Sequence, residues 1–149
     1  ELRRMFAVRS DGVLIRKTRA GGGKKPGDSV GTPQACGYLS VRIRGQAYMA
    51  HRIIWAICNR QHPGDFDIDH IDRDKSNNRP GNLRLATRSQ NCANKPTLGV
   101  HKRKSSGKYQ AYVYKDRVCH HLGLFDSEEA ARAAHEAAKV KLFGNYAHV

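Results

Sequence analysis

An α+β fold is predicted for this chain, and three observations predict it. Short segments alternate apolar and polar side chains, the mark of half-buried antiparallel strands. Two of these run into helix starts signalled by capping boxes, Thr87 with Gln90 and Asp126 with Glu129. Between them lie stretches dominated by Gly, Pro and Lys, above all residues 18–34, which read as a mobile basic arm or linker.

The 149 residues carry 27 Lys+Arg against 13 Asp+Glu, a formal net charge of +14. A surplus of that size repels itself in a compact fold and calls for a polyanionic partner, with nucleic acid first. Mean hydropathy is −0.69, so the core must be small. The longest apolar run, Ile53 to Cys58, falls far short of the roughly 20 residues a membrane helix needs, and no membrane role is expected. The chain opens Glu1-Leu2-Arg3-Arg4 without an apolar leader. The expectation is therefore a cytoplasmic protein, its first residues trimmed. Cys36, Cys58, Cys92 and Cys119 form no CxxC pair and are expected to be reduced core residues.

Gly37 to Arg44 alternates, with Leu39, Val41 and Ile43 on one face and Tyr38, Ser40, Arg42 and Arg44 on the open one. A turn at Arg44 to Ala47 returns it through Tyr48 and Met49. His51 to Asn59 suits a short buried helix, with His51 and His62 read as structural or surface residues. Five aspartates then crowd into residues 65–74, an arrangement that needs arginines or a divalent cation for balance. Asp67 to Ile71 reads as a strand, Lys75 to Gly81 as a polar loop, and Asn82 to Thr87 as a second strand with Leu83 and Leu85 inward. The Thr87 cap places Asn91 in the first helical turn.

The ordered set Asp69-His70, the NNRPGNL run from Asn77 to Leu83, and Asn91 resembles the HNH endonucleases. These are the ββα-metal nucleases, here in the His-Asn-Asn variant of phage and intron-associated DNA-cutting enzymes. The spacing of 12 residues from His70 to Asn82 and 9 to Asn91 agrees with that pattern. The resemblance implies that His70 is the general base, that Asp69 and Asn91 hold one divalent cation, and that Asn82 fixes the loop and orients the histidine. Oxygen donors of this kind suit Mg²⁺, or Mn²⁺, and leave positions for phosphate and water. Arg79, Arg84 and Arg88 are expected on DNA phosphates, with Arg42 and Arg44 from the preceding strand.

Residues 99–146 form a different pattern. Lys108 to Lys115 sets Tyr109, Ala111 and Val113 against Gln110, Tyr112 and Tyr114. Asp116-Arg117 turns it into Val118 to Phe125, and an alanine-rich helix follows. The GV start, GKYQAYV, HLGLF and the D-x-E-E-A-A-x-A run resemble the Apetala2-type DNA-binding domain. That resemblance implies a sheet laid on duplex DNA, with Arg103, Lys104, Lys108, Tyr112, Tyr114, Lys115 and Arg117 as contacts. The expected plan is a basic β lobe (1–49), a ββα-metal core (50–96), and a three-stranded sheet packed on one helix (97–149). The expected function is a metal-dependent, site-preferring, homing-type DNA endonuclease that nicks or cuts both strands. The alternative is a DNA-binding protein that keeps the fold without catalysis. Whether it is a monomer or weak dimer is left open.

Overall fold

The computed structural model describes residues 1–96 and 99–147. It is a mixed structure of short helices and antiparallel sheets, the α+β class the alternation pointed to. The backbone forms two units, residues 1–85 and 86–149.

The first unit opens with one helical turn, α1 (Leu2–Met5), and a hairpin of β1 (Phe6–Val8) and β2 (Leu14–Arg16). Phe6 pairs with Arg16 and Val8 with Leu14 across it. Strand β3 (Ser29–Val30) adds to β2, so the Gly-rich stretch read as a loop carries two short strands, β3 and β4 (Thr32–Pro33). Strands β5 (Leu39–Ile43) and β6 (Gln46–Met49) follow as the alternation required, joined at Arg44-Gly45. Helix α2 (Ala50–Asn59) buries Ile53, Ile54, Trp55 and Ile57 and ends at Arg60, which takes the left-handed conformation.

These helix residues share one core with Phe6, Leu14, Val41, Ile68 and Leu83. The core therefore runs across the expected division at residue 49, and joins the N-terminal strands to the segment that follows. Arg52 fastens α2 to the incoming loop by donating to the carbonyl oxygens of Phe66 and Gly64 at 2.7 and 2.9 Å. Strand β7 (Asp67–His70) then pairs with β8 (Leu83–Ala86), with a single 3-10 turn, Pro80–Asn82, before β8.

In the second unit Thr87 caps α3 (Arg88–Ala93) with the full reciprocal capping box to Gln90. Strands β9 (Val100–Lys102), β10 (Tyr109–Lys115) and β11 (Val118–Phe125) form an antiparallel sheet with β10 central. Helix α4 (Glu128–Phe143) follows, with acids in its first turn and Lys141 in its last, the polarity the helix dipole favours. Its cap is Ser127, whose Oγ accepts from the Ala130 amide at 3.1 Å, and not Asp126 as the sequence suggested. Val113 and Phe143 pack with Ala93 of α3, and Ala111 and Ala131 are fully buried. Small residues allow that approach. The sequence-based boundary at 96/97 falls at a residue outside the described ones.

Cysteine burial departs from expectation: Cys36, Cys58 and Cys92 are exposed and Cys119 half-buried. Cys36 sits in the turn before β5, and Cys58 and Cys92 occupy exposed positions of α2 and α3, so the usual burial of free cysteines does not hold for these three. Among the described residues no helix is long and apolar enough to cross a membrane.

Candidate active site

Strand β7 delivers Asp69 and His70 side by side, and both are buried, at 5% and 4% exposure. Burying an ionisable pair is costly unless each group finds partners. Asp69 finds Arg84, on the neighbouring strand β8, whose Nε and Nη2 both meet Oδ2 at 2.8 Å. Arg84 is thus directed at the protein interior and not at a phosphate as expected.

His70 is held by a residue that the sequence reading did not single out. Its Nε2 lies 3.0 Å from the Oδ1 of Asn78, itself only 3% exposed. An amide oxygen only accepts, so Nε2 carries a proton in this contact. Two more rings bracket the imidazole. His51 of α2 meets it edge-on at 5.2 Å between centroids, and Tyr38 lies 5.9 Å from His70 and 5.0 Å from His51. Tyr38 is therefore half-buried against the site and not on the open face with Arg42 and Arg44. Lys75 covers the outside of that ring at 5.0 Å while donating to the Cys36 carbonyl at 3.0 Å.

The loop between the strands is closed by its own polar side chains. Asn82 donates to Asp72 Oδ1 and to the Asn77 carbonyl, each at 2.8 Å, and its Oδ1 accepts from the Asp72 amide at 3.1 Å. Asp72 Oδ2 also accepts from Asn77 Nδ2 at 2.6 Å. Burial pushes the Asp72 carboxyl upward, but the hydrogen bonds from Asn82, Asn77 and the Asp74 amide outweigh it and leave it below the usual range. Asp74 is lowered too, chiefly by the Ser76 hydroxyl and amide. Three of the five crowded aspartates are thus balanced by one arginine and a set of amides and a hydroxyl, with Asp72 and Asp74 acting as turn acceptors.

His51 is buried at 8% exposure, and among the described residues its Nδ1 finds no hydrogen-bond partner. Burial first, then the nearby charge of His70 and Arg52, pushes its pKa down to about 4. Between that value and the ordinary 6.5 the unfolded chain binds more protons than the folded one. Stability is therefore complete above pH 6.5 and falls as pH drops toward 4. At about 1.4 kcal/mol per pKa unit the loss reaches at most about 3 kcal/mol. Replacing His51 with Phe should flatten the dependence of unfolding free energy on pH across that window, as followed by urea titration.

Asn91 stands half-buried on α3 of the second unit. A carboxylate such as that of Asp69 is the kind of donor a hard divalent cation takes. Among the described residues no three His, Cys, Asp or Glu side chains gather into a group that could hold a metal ion.

Of the residues expected to meet DNA, Arg42, Arg79 and Arg88 are exposed. Arg44 is exposed in the β5–β6 turn and pairs with Glu1. In the second unit Arg103, Lys104 and Arg117 are exposed, while Lys108 pairs with Asp126 at 2.9 Å. Lys115 instead donates to the Leu142 carbonyl at 3.1 Å and lies over the Phe143 ring. Tyr112 touches both His101 and Tyr114, with centroids 5.6 and 5.4 Å apart, making an aromatic row across β9 and β10.

The site thus comprises two paired strands, a buried Asp-His pair and a loop closed by asparagines. Residues 48–93 match the sequence model of the family described as HNH endonuclease. A protein of Acanthamoeba polyphaga mimivirus, named as an uncharacterised HNH endonuclease, is 40% identical over 102 residues. The match covers 65% of this chain and 54% of that protein, so the chain spans about half the length of this relative. The solved structure described as "DNA binding and cleavage by the HNH homing endonuclease I-HmuI" is similar with a TM-score of 0.45 and 24% identity, over 60% of this chain and 50% of that one.

Proposed function

We propose that the chain is a metal-dependent DNA endonuclease of the homing type, with His70 as general base. The observation that carries this reading is the buried Asp69-His70 pair, with His70 held through Nε2 by Asn78. In this reading Nδ1 takes the proton of the attacking water. The water oxygen bonds to phosphorus as the bond to the 3′ oxygen breaks, giving 5′-phosphate and 3′-hydroxyl ends.

Asp69 is the carboxylate ligand for Mg²⁺, with Mn²⁺ as substitute, and Asn91 is the amide ligand that the HNH resemblance assigns. When bound, the cation supplies stabilisation of the charge developing on the departing oxygen. Asn82 keeps the loop closed so that Asn78 stays on His70. Arg42, Arg44, Arg79 and Arg88 are the phosphate contacts of this reading, and double-stranded DNA is the partner. The Apetala2-like sheet adds contacts from Arg103, Lys104, Arg117, Tyr112 and Tyr114, and supplies the site preference. A cytoplasmic location accords with that substrate.

Supercoiled plasmid and a library of target sequences, each incubated with Mg²⁺ or with EDTA, test the proposal. Open-circle or linear product should appear only with metal. Salt-sensitive binding with no cleavage of any library member would leave a DNA-binding protein and sink the nuclease reading.

A further inference from the structure

The hairpin of β1 and β2 belongs to no part of the catalytic motif, yet its tip lies against the loop that holds His70. The strands are anchored in the core through Phe6 and Leu14. The turn between them is closed by the Arg9 amide on the Val13 carbonyl and the Gly12 amide on the Arg9 carbonyl, both at 3.0 Å. Asp11 latches it further, accepting from the Val13 amide at 3.2 Å. Gly12 has φ +85°, and a β-carbon built there would overlap the Asn78 carbonyl group and the Arg79 amide nitrogen. The turn thus abuts the peptide that follows Asn78. On its other side Asn78 is tied by its own amide to the Ser76 carbonyl at 3.0 Å.

We propose that Gly12 is a positioning residue for His70: lacking a side chain, it lets the hairpin tip brace the Asn78–Arg79 peptide, and so keeps the Asn78 amide oxygen on His70 Nε2. The proposal rests on the reading of His70 as the general base. Bracing matters because Asn78 sets two properties at once, the direction of the ring and which nitrogen carries the lone pair. A displacement of about 1 Å in such a support costs roughly a hundredfold in rate. Gly45 provides the control. It has the same φ of +85° in the β5–β6 turn, but among the described residues nothing lies within 4 Å of the position a β-carbon would take. Alanine at either position pays the same backbone strain; only at residue 12 does it also push on the loop.

The test uses ¹⁵N-labelled full chain with Mg²⁺, and reads the two-bond ¹H–¹⁵N signals of the histidine rings at alkaline pH, where imidazoles are neutral. The His70 signals are assigned by their loss in His70→Ala. In the parent, His70 should show a protonated Nε2 and an unprotonated Nδ1. Gly12→Ala should move His70 toward mixed tautomers and lower kcat by about tenfold or more, with KM within about twofold. Asn78→Ala should produce the same spectral change, whereas Gly45→Ala should leave spectrum and kcat at parental values. Asp11→Ala loosens the turn without adding an atom and should shift the His70 signals in the same direction by less. It carries the test if Gly12→Ala does not fold. Parental His70 signals in folded Gly12→Ala, or failing that in Asp11→Ala, would overturn the proposal. Equal changes in Gly45→Ala would overturn it as well. The ring spectrum reads the brace even if no cleavage is found, so a failure of the nuclease reading shows separately in the plasmid assay.

Discussion

Cleavage by the His70→Ala protein should fall by about a thousandfold, the middle of the range for loss of a general base. Its affinity for the same DNA should stay within a few fold. The two readouts separate because His70 is only 4% exposed and offers little surface to a duplex, while the exposed arginines and lysines are untouched. The substitution leaves an imidazole-shaped gap bordered by His51, Tyr38 and Asn78. Added imidazole should therefore restore part of the rate, as a small base entering a shaped cavity. Plasmid conversion and filter binding at one salt concentration measure both quantities. Affinity that collapses along with the rate would mean that the ring supports the DNA surface and is not the proton acceptor.

Asp69→Ala should have the next largest effect, on two quantities at once. Cleavage should be lost at every Mg²⁺ concentration, because the carboxylate ligand is gone. Stability should fall by about 3 kcal/mol, since the change takes the carboxylate away from Arg84, whose side chain is 17% exposed. The double variant Asp69→Ala/Arg84→Met removes both charges and should recover much of the stability with none of the activity. Urea unfolding and the plasmid assay distinguish these outcomes. A single variant as stable as the parent would show that the ion pair does little for the fold. Cleavage that survives with Mg²⁺ would remove Asp69 from the metal site.

Much of the architecture could be read directly from the residues, and the reason is physical. Strands β5, β8 and β10 bury one face against a helix or core, so Leu39, Val41 and Ile43, or Ala111 and Val113, had to alternate with polar neighbours. The Thr87–Gln90 box is a local hydrogen-bond pattern and needs nothing distant to form. The supporting cast of His70 could not be read the same way. Asn77, Asn78 and Asn82 are alike as turn residues, and which of them meets the imidazole is decided by the path of the loop. That path includes a left-handed Arg73, at φ +67°. His51 and Tyr38 reach His70 only through tertiary packing, the one from α2 and the other from the residue before β5. The first hairpin did carry a signal: Ser10-Asp11-Gly12 between Phe6-Ala7-Val8 and Leu14-Ile15-Arg16 is a turn between two apolar runs. Asp126 and Ser127 are both competent caps, and the choice between adjacent residues of that kind lies below what sequence resolves.

The way the core is shared bears on portability. Anyone grafting this cutting motif onto another DNA-recognition scaffold would be drawn to residues 48–93, the stretch that matches the family. Cut there, Ile53, Ile54, Ile57, Ile68 and Leu83 lose Phe6, Leu14 and Val41. At the other end Ala93 loses Val113 and Phe143. The excised piece would expose the apolar surface that both ends now cover and aggregate instead of folding. The transplantable module begins at the N-terminal hairpin, and its recipient must furnish a new seat for α3.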